Sequence, residues 1–489
     1  SRVPSMQAFQ GGCITIALPT IQKDLHISEA DIQWPVSIYG LTNGCFLLIG
    51  GSAADILGRR TVYIAGTAWL SLWSLVIGFV RTEWLLTVCM GLLGLGYALN
   101  TPAGVGILAS EFDGIAKQRA FGVLVSDVES SGGVLCQNSS WQSLYWMQAG
   151  LALCVLCAAW FSLPRDEVSC GECSILQRLL RKMDWIGAAL STSGLVALTL
   201  GFANSQSAPQ RWRTPYIPTL LVFGAVLLCL FVAWELRRDK TGEPAMVPPR
   251  IFRRSPRFSV VLVVVFALMW VFNALQYFST LYYQSVLHLS PLRTSIAFLP
   301  MTFSGTSYCI IGATLSLKLR PVSVIAGSLI LSMVASILFA FIDPTASYWQ
   351  TVFPVMLFVT ASDLSYAVCN IQICAAVDKN DQALAGGLFN VAARLGTSMG
   401  VALTATVSTS VINSHSGDLV RGYRVAGWVC AGISLVALLA TIICLRELKS
   451  SPDARDAKVD GGDIVLRTLG FESPSAVNVD VKDPDLSVQ

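Results

Sequence analysis

The sequence predicts an all-α integral membrane protein with fourteen transmembrane helices. Of the 489 residues, 54% are hydrophobic and 13% are charged, whereas a soluble domain carries about 25% charge. The mean hydropathy of +0.61 over the whole chain indicates that apolar sequence recurs along it, in runs that approach the ~20 residues of a membrane crossing. These runs are continuous, which excludes β-barrel strands of ~10 residues with alternating polarity.

The apolar runs define the predicted spans one to fourteen. In chain order they are 6–21, 34–54, 62–80, 84–110, 120–135, 144–163, 185–202, 216–235, 258–286, 294–317, 322–341, 349–377, 383–411 and 426–445. Spans one and five are the shortest, about 24 Å at the helical rise, and span five contains Asp127 and Glu129. The chain opens at Ser1 rather than at a methionine, which indicates a shortened N-terminus.

The positions of Lys and Arg predict the orientation of the chain, because cytoplasmic loops retain positive charge. With both termini in the cytoplasm, 25 of the 33 basic residues lie on the cytoplasmic side and seven lie outside. The remaining one, Arg394, falls within span thirteen. If span five did not cross, the basic cluster in 237–257 would lie outside, so span five is retained as a crossing.

Composition and motifs exclude several classes of function. A net charge of +3 offers no field to hold a nucleic acid. The pair Cys170 and Cys173 has no histidine nearby, so we predict no metal site, and most other cysteines lie singly in apolar runs. No phosphate-binding G-x-x-x-x-G-K-[ST] loop occurs, and no His/Cys/Asp cluster converges in the spans. We therefore predict neither an enzyme nor a cofactor.

The segment from 51 to 60 predicts a tight charged hinge after span two, formed by Gly51, Asp55, Gly58, Arg59 and Arg60. Gly58 permits a chain reversal, and Asp55 can accept hydrogen bonds from backbone N–H groups or from an arginine. The alternative is a simple positive stop signal, which explains the two arginines but neither the carboxylate nor the spaced glycines.

This hinge resembles the G-x-x-x-D-x-x-G-R-R signature of the major facilitator superfamily, in which the loop after the second helix controls alternating access. Ala17-Leu18-Pro19-Thr20, Gly94-Leu95-Gly96 and Leu289-Ser290-Pro291 extend the resemblance over most of the chain, and the fourteen spans are similar to the fungal drug:proton antiporter branch. The segment 312–320 repeats the Gly-to-Arg spacing, with Ser316 at the position of Asp55.

The resemblance implies two six-helix halves with two helices inserted between them. The N-terminal half is residues 1–165, and the cytoplasmic loop, inserted helices and basic connecting loop are 166–257. The C-terminal half is 258–446, followed by a polar tail at 447–489 that we expect to be disordered in the cytosol.

The resemblance also implies that spans one, four, nine and twelve line a substrate cavity. Their polar side chains are the substrate candidates: Gln10, Tyr97, Asn100, Asn273, Gln276, Tyr277, Asp363 and Asn370. Residues 273, 276 and 280 share one face of span nine, and 363 and 370 share one face of span twelve. The alternative is hydrogen bonding between helices that serves packing alone.

Two departures from the family pattern bear on energy coupling. Relatives have an Asp where this chain has Gln10 and an Arg where it has Met90, and neither residue here titrates. Span five is also short, which indicates either a real shortening or a missing segment. Asp363 is therefore the leading proton-coupling candidate, with Asp127 and Glu129 as second candidates.

The predicted function is secondary active export of a small organic compound, such as a toxin, drug or secondary metabolite, by proton antiport. The alternatives are an uptake permease or uniporter, and a non-transporting relative that acts as a receptor. The predicted partners are a small-molecule substrate, the lipid bilayer and protons, with no nucleic acid, for a monomer in the cell membrane. The vacuolar membrane is the alternative location.

Overall fold

The computed structural model describes most of the helical chain. The described residues are 21, 24–25, 33–111, 140–163, 183–205, 208, 211–241, 246–247, 249, 251–252, 256–289, 291–346, 348–377, 382–414 and 418–444. Span one apart from Ile21, all of span five and the tail lie outside them, as do Gln10, Asp127, Glu129, Cys170 and Cys173.

The described residues fold into a series of helices. These are α1 (Gln33–Cys45), α2 (Leu47–Leu57), α3 (Arg59–Ile77), α4 (Glu83–Glu111), α5 (Trp141–Ser162), α6 (Trp185–Asn204), α7 (Tyr216–Thr241), α8 (Pro256–Leu281), α9 (Pro291–Ala297), α10 (Leu299–Lys318), α11 (Pro321–Ala340), α12 (Tyr348–Val359), α13 (Ala361–Ala375), α14 (Gln382–Ser414) and α15 (Leu419–Cys444). A 3₁₀ turn at Arg211–Arg213 precedes α7, and a π-helical turn at Tyr282–Val286 follows α8.

The prediction of an all-helical membrane protein is confirmed. Nine helices in the described part of the chain are long and apolar enough to cross a membrane, or ten if the bent pair α1–α2 counts as one span. The number fourteen stays a prediction, because spans one and five are outside the described residues and α10 is not among those ten.

Predicted spans two, ten and twelve are each divided into two helices. The axes of α1 and α2 meet at 43°, and Thr42, one turn before the break, donates its hydroxyl hydrogen to the Ile38 carbonyl (2.9 Å). Thr360, between α12 and α13, donates likewise to Leu357 (3.2 Å). Such bonds back to the preceding turn bend helices. Pro300, the second residue of α10, has no N–H to continue the hydrogen-bond ladder from α9.

The same pairs of helices pack in the predicted N-terminal and C-terminal halves. Helix α1 packs on α4, and their counterparts α10 and α13 pack on each other. Helix α3 packs on α5, as α11 packs on α15. This correspondence supports the internal repeat that the hinge segment and the segment 312–320 indicate.

Helices α6 and α7, the predicted inserted pair, are antiparallel and are joined by close glycine contacts. A Cβ on Gly194 would lie 2.9 Å from the Leu228 side chain, and one on Gly224 would lie 2.9 Å from Leu198. The pair is also anchored to other helices, because α6 packs on α1 and on α14.

A buried acidic cluster lies at the first turn of α6. Asp184 caps that helix by accepting a hydrogen bond from the Gly187 amide (2.9 Å). The same carboxylate accepts hydrogen bonds from Trp234 Nε1 (2.9 Å) and Arg238 Nη1 (3.3 Å) on α7. Next to it, Glu235 accepts a bond from the Val247 amide (3.2 Å). The cluster therefore ties α6, α7 and the connecting segment together.

Candidate functional site

The predicted hinge contains the turn that its glycine implies. Gly58 ends α2 and begins α3 with φ 101° and ψ 136°, a conformation that L side chains rarely adopt. Its amide still donates to the Ala54 carbonyl at 3.1 Å. The reversal brings Asp55, Arg59 and Arg60 to the end of this helix pair.

Asp55 reaches from α2 to the beginning of α14. Its Oδ2 atom accepts a hydrogen bond from the backbone amide of Leu384 at 3.0 Å. Leu384 is the third residue of α14, where backbone amides have no partner within their own helix. The partial positive charge at a helix N-terminus also favours a carboxylate. Asp55 thus caps a helix that begins more than 300 residues later.

Arg59 connects three helices at the same place. Its Nε atom lies 3.7 Å from Oδ1 of Asp55. Its Nη1 atom donates to the Gly106 carbonyl on α4 (3.0 Å) and to Oε1 of Gln382, the first residue of α14 (3.4 Å). The side chains of Arg59 and Asp55 are each only 15% exposed, so this charged pair is largely shielded from solvent.

Arg60 has a different set of partners. Its Nη2 atom donates to the Trp160 carbonyl on α5 at 2.9 Å, and its guanidinium lies 5.9 Å from the centroid of the Trp160 ring. These contacts join α3 to α5 within the predicted N-terminal half. The two consecutive arginines therefore bind different helices, Arg59 binding α4 and α14 and Arg60 binding α5.

Small residues bring α2 and α14 into backbone contact. A Cβ on Gly51 would lie 3.1 Å from the Ala383 carbonyl oxygen, and one on Gly387 would lie 3.0 Å from the Leu47 carbonyl oxygen. We call this contact the α2–α14 seam, which comprises Leu47, Gly51, Asp55, Ala383, Leu384 and Gly387. Gly51 thus belongs to the same contact surface as Asp55.

Among the substrate candidates, Asn273 also contacts α14. Its Nδ2 atom donates to Thr397 Oγ1 at 3.0 Å. From α13, the Tyr366 hydroxyl donates to Asn390 Oδ1 at 3.2 Å. Polar side chains of α8 and α13 therefore meet one stretch of α14, about 10 Å long along the helix axis.

Tyr97 and Asn100 use their polar atoms in helix packing. The Tyr97 hydroxyl accepts a hydrogen bond from Gln148 Nε2 on α5 at 2.8 Å. In the orientation that satisfies both its neighbours, the Asn100 amide donates to the Tyr63 carbonyl (2.9 Å) and accepts from the Thr67 amide (3.0 Å). Both side chains are buried. These contacts are of the kind expected if the two side chains serve helix packing rather than substrate binding.

The other candidates lie in different surroundings. Asp363 faces α10, where a Cβ on Gly305 would lie 3.3 Å from its Oδ2 atom. Asn370, two turns later on α13, is 2% exposed. On α8, Gln276 is partly buried and Tyr277 is 37% exposed. Spans nine and twelve thus contribute polar groups to several contacts rather than to one cluster.

An apolar cavity of about 1070 Å³ lies in the predicted C-terminal half. Helices α9, α10 and α12 line it with Phe303, Tyr308, Trp349 and other apolar groups. Ser304, also in its wall, is hydrogen-bonded to the Thr360 hydroxyl at 2.8 Å, just before α13 begins. The cavity volume is slightly above the ~300–1,000 Å³ typical of ligand sites.

Met90, at the position where the family resemblance implies an Arg, is buried without charge. Its sulfur accepts a weak hydrogen bond from the Tyr145 hydroxyl on α5 (3.9 Å), and its side chain is 0% exposed. The position is therefore used for packing between α4 and α5.

The sequence did not indicate the partners of the hinge. Gln382 and Gly106 bind Arg59, but neither belongs to a motif with a known spacing. The only signal was the pair Gly386 and Gly387, whose lack of side chains predicts a close helix contact.

Comparisons with known proteins identify the family of this chain and its fold. A model of the family described as the Major Facilitator Superfamily matches residues 5–172 and 177–401. MFS-type transporter 1 of Pyricularia oryzae is 27% identical, with 91% of this chain and 82% of the relative covered. The efflux pump terJ of Aspergillus terreus is 27% identical, with 91% and 86% covered. The crystal structure of the human organic anion transporter MFSD10 matches with a TM-score of 0.63 at 12% identity, over 90% of this chain and 98% of that chain.

Proposed function

Because the chain belongs to the Major Facilitator Superfamily of multi-pass membrane transporters, we propose that it exports a small organic compound in exchange for protons. The observation that carries this proposal is the hydrogen bond from the Leu384 amide to Asp55. It joins a helix of the predicted first half to a helix of the predicted second half. A carrier of this class works by rocking its two halves around a central site, and a contact between the halves has to break in each cycle.

The contacts at the α2–α14 seam suit such a reversible closure. The Asp55 carboxylate attracts the N-terminus of α14 only while the two helices are close, because charge interactions weaken with distance. The glycines at the seam allow backbones to approach without interlocking side chains. We therefore assign Gly51, Asp55, Gly58, Arg59 and Arg60 to the gate that controls access.

The proposed cargo is a small, largely apolar organic molecule. The apolar cavity, whose wall residue Ser304 is hydrogen-bonded to Thr360, supports this apolar character. The names of relatives such as the efflux pump terJ support the direction of transport. The residues proposed to contact the substrate as it moves are Asn273, Gln276, Tyr277, Asp363 and Asn370, with Gln10, Tyr97 and Asn100 as the candidates of the first half.

Asp363 is the proposed proton carrier. It is a carboxyl group within a spanning helix, where ionisable side chains are costly and commonly serve a transport step. Gln10 and Met90, which replace the titratable groups of relatives, cannot take this role.

A uniporter or uptake permease is the second candidate function. Met90 favours it, because a buried thioether paired with Tyr145 leaves no cation at that position of α4. In that case transport follows the substrate gradient, and the proton gradient has no effect.

We further propose two six-helix halves at 1–165 and 258–446, the inserted helices within 166–257, and a tail at 447–489. Both termini are proposed to be cytoplasmic, because most basic residues then lie inside. The proposed protein is a monomer in the cell membrane.

The test is dye transport in inside-out vesicles that contain the full chain. Ethidium, fluorescein and Nile red provide cationic, anionic and neutral probes. We expect at least one dye to accumulate when the vesicle lumen is acidic and to leak out when a protonophore collapses the gradient. Asp363→Asn should abolish the response to the proton gradient while dye exchange down its own gradient continues.

The matched control is Asp239→Asn on α7, a carboxylate for which the described structure gives no hydrogen bond. It should transport like the original chain. Equal dye movement with and without the proton gradient would establish the uniporter instead. Absence of movement for every dye, with the chain correctly inserted, would reject transport of this class of compound.

A further inference from the structure

Arg394 is a cation deep within a spanning helix. It lies twelve residues after Gln382, the start of α14, which is about 18 Å along the helix axis. Its side chain is partly buried. A charged group at that depth is costly unless it faces protein, water or an opposite charge.

The neighbours of Arg394 on α14 have hydrogen-bond partners, whereas its guanidinium has none among the described residues. Asn390, one turn before, accepts from Tyr366 and donates to the Gly386 carbonyl (2.8 Å). Thr397, nearly one turn later, accepts from Asn273. The structure gives no hydrogen bond or ion pair from the Arg394 guanidinium to any described residue.

Arg394 faces α1 across the junction of the two predicted halves. A Cβ on Gly44 would lie 3.5 Å from both Cβ and Cγ of Arg394. The stem of the arginine therefore rests on α1 at Gly44, and Tyr39 and Asn43 lie within the two helical turns before this contact.

Those two side chains of α1 also have unused hydrogen-bonding groups. Within the described part of the chain, the Tyr39 hydroxyl and both amide atoms of Asn43 have no partner. Tyr39 is 6% exposed and Asn43 is 1% exposed, so water does not compensate them at the protein surface. Buried polar groups in native proteins nearly always have partners, which indicates that a ligand supplies them.

There is open space on α1 at Gly40. A Cβ on Gly40 would meet no atom within 4 Å among the described residues. Gly40, Asn43 and Gly44 have the i, i+3, i+4 spacing that places residues on one helix face. The open space at Gly40 therefore lies on the face of α1 that carries Asn43 and the contact with Arg394.

We propose that Arg394, Asn43 and Tyr39 form a binding site for the carboxylate group of an anionic cargo. A guanidinium binds a carboxylate through two parallel N–H donors. The Asn43 amide and the Tyr39 hydroxyl can donate to the same oxygens. The ligand thereby neutralises the partly buried cation and provides hydrogen-bond partners for all three side chains. This inference rests on the proposed function and specifies the chemical class of its cargo.

The test compares carboxylates with neutral amides of the same skeleton on the purified full chain in detergent micelles. The probe pairs are benzoate and benzamide, cinnamate and cinnamamide, and indole-3-acetate and indole-3-acetamide. Binding is measured as the ligand-dependent rise in thermal unfolding temperature, because a ligand that binds the folded state stabilises it. We expect at least one carboxylate to raise this temperature and its amide to have little effect.

Variants assign the effect to the site. Arg394→Gln should weaken carboxylate binding about tenfold or more, the loss expected for a hydrogen-bonded charge. Arg394→Lys should bind with intermediate affinity, because it keeps the charge but loses the paired donors. Tyr39→Phe removes only the hydroxyl and should weaken binding several-fold with normal folding. Arg421→Gln, which removes an exposed cation from α15, should bind like the original chain.

The proposal is overturned if acids and amides protect equally, if no acid protects the original chain, or if protection survives Arg394→Gln and Tyr39→Phe. Binding in micelles requires no transport, so its failure is separable from failure of the proposed function. Dye export without carboxylate binding counts against this site alone. Carboxylate binding without gradient-driven export counts against the exporter alone.

Discussion

The Oδ2 atom of Asp55 lies 3.0 Å from the Leu384 amide nitrogen, which is 329 residues away in the chain. The donor is one of the first-turn amides of α14, which have no carbonyl partner within their own helix. The bond therefore combines a charged acceptor with a helix N-terminus. Neighbouring Arg59 joins the same helix through Gln382. The hinge therefore links the two predicted halves through charge and backbone polarity rather than through apolar side chains.

Removal of the Asp55 carboxylate should loosen the beginning of α14. We expect Asp55→Ala to raise the rate of amide hydrogen exchange in residues 383–387 by about tenfold or more, because a hydrogen bond to a charged group contributes ~1.5–3 kcal/mol. Asp55→Asn keeps an acceptor oxygen and should have a smaller effect. Asp239→Ala is the control, and exchange rates in 383–387 that do not change in Asp55→Ala would contradict the prediction.

Arg59 and Gln382 should be energetically coupled, whereas Arg60 and Gln382 should not. In a double-mutant cycle on the free energy of unfolding in micelles, Arg59→Met with Gln382→Ala should show a coupling of about 0.5–3 kcal/mol. Arg60 donates to Trp160 instead, so Arg60→Met with Gln382→Ala should be additive within about 0.5 kcal/mol. Equal coupling in the two cycles would show that the bond between Arg59 and Gln382 makes no specific contribution.

Gly50 should not tolerate a methyl group. A Cβ there would lie 2.3 Å from the Ala98 carbonyl oxygen, so Gly50→Ala must separate α2 from α4. We expect a loss of about 1–3 kcal/mol, as for other overpacked sites, seen as a lower thermal unfolding temperature. A Cβ on Gly432, in α15, would meet no atom of the described residues within 4 Å. Gly432→Ala should therefore be neutral or stabilising by up to about 1 kcal/mol.

Asp184 should contribute more to stability than an exposed helix cap. Asp184→Ala removes the cap of α6 and the buried carboxylate to which Arg238 donates. Breaking a buried pair costs about 3–5 kcal/mol. Asp418 caps α15 by accepting from the Arg421 amide (3.1 Å) in an exposed position, so Asp418→Ala should cost about 1 kcal/mol. The two losses can be compared by thermal unfolding, and equal values would contradict the prediction.

The sequence predicted the helices and the hinge but not the partners of their polar groups. Hydropathy identifies spans because the bilayer requires every backbone group to be bonded within the helix, and Gly58 marks a turn through its own conformational freedom. In contrast, the position of Asn100 in its span does not show whether its side chain faces a substrate cavity or a neighbouring helix. Its amide in fact bonds α3. The contact between Asp55 and Leu384 has no local signal, because it arises only when distant helices meet.

Because the donor in that contact is a backbone amide, the side chain at position 384 is free to vary without removing it. Proline is the exception, since it has no N–H, so Leu384→Pro would remove the donor that no other substitution can remove. During biosynthesis this contact can form only after Leu384 has been added to the chain. At a synthesis rate of about 5–20 residues per second, the 329 residues between the partners take roughly 16–66 seconds to appear. During that interval the nascent first half has to hold Asp55 and Arg59 without the helix that they will bind.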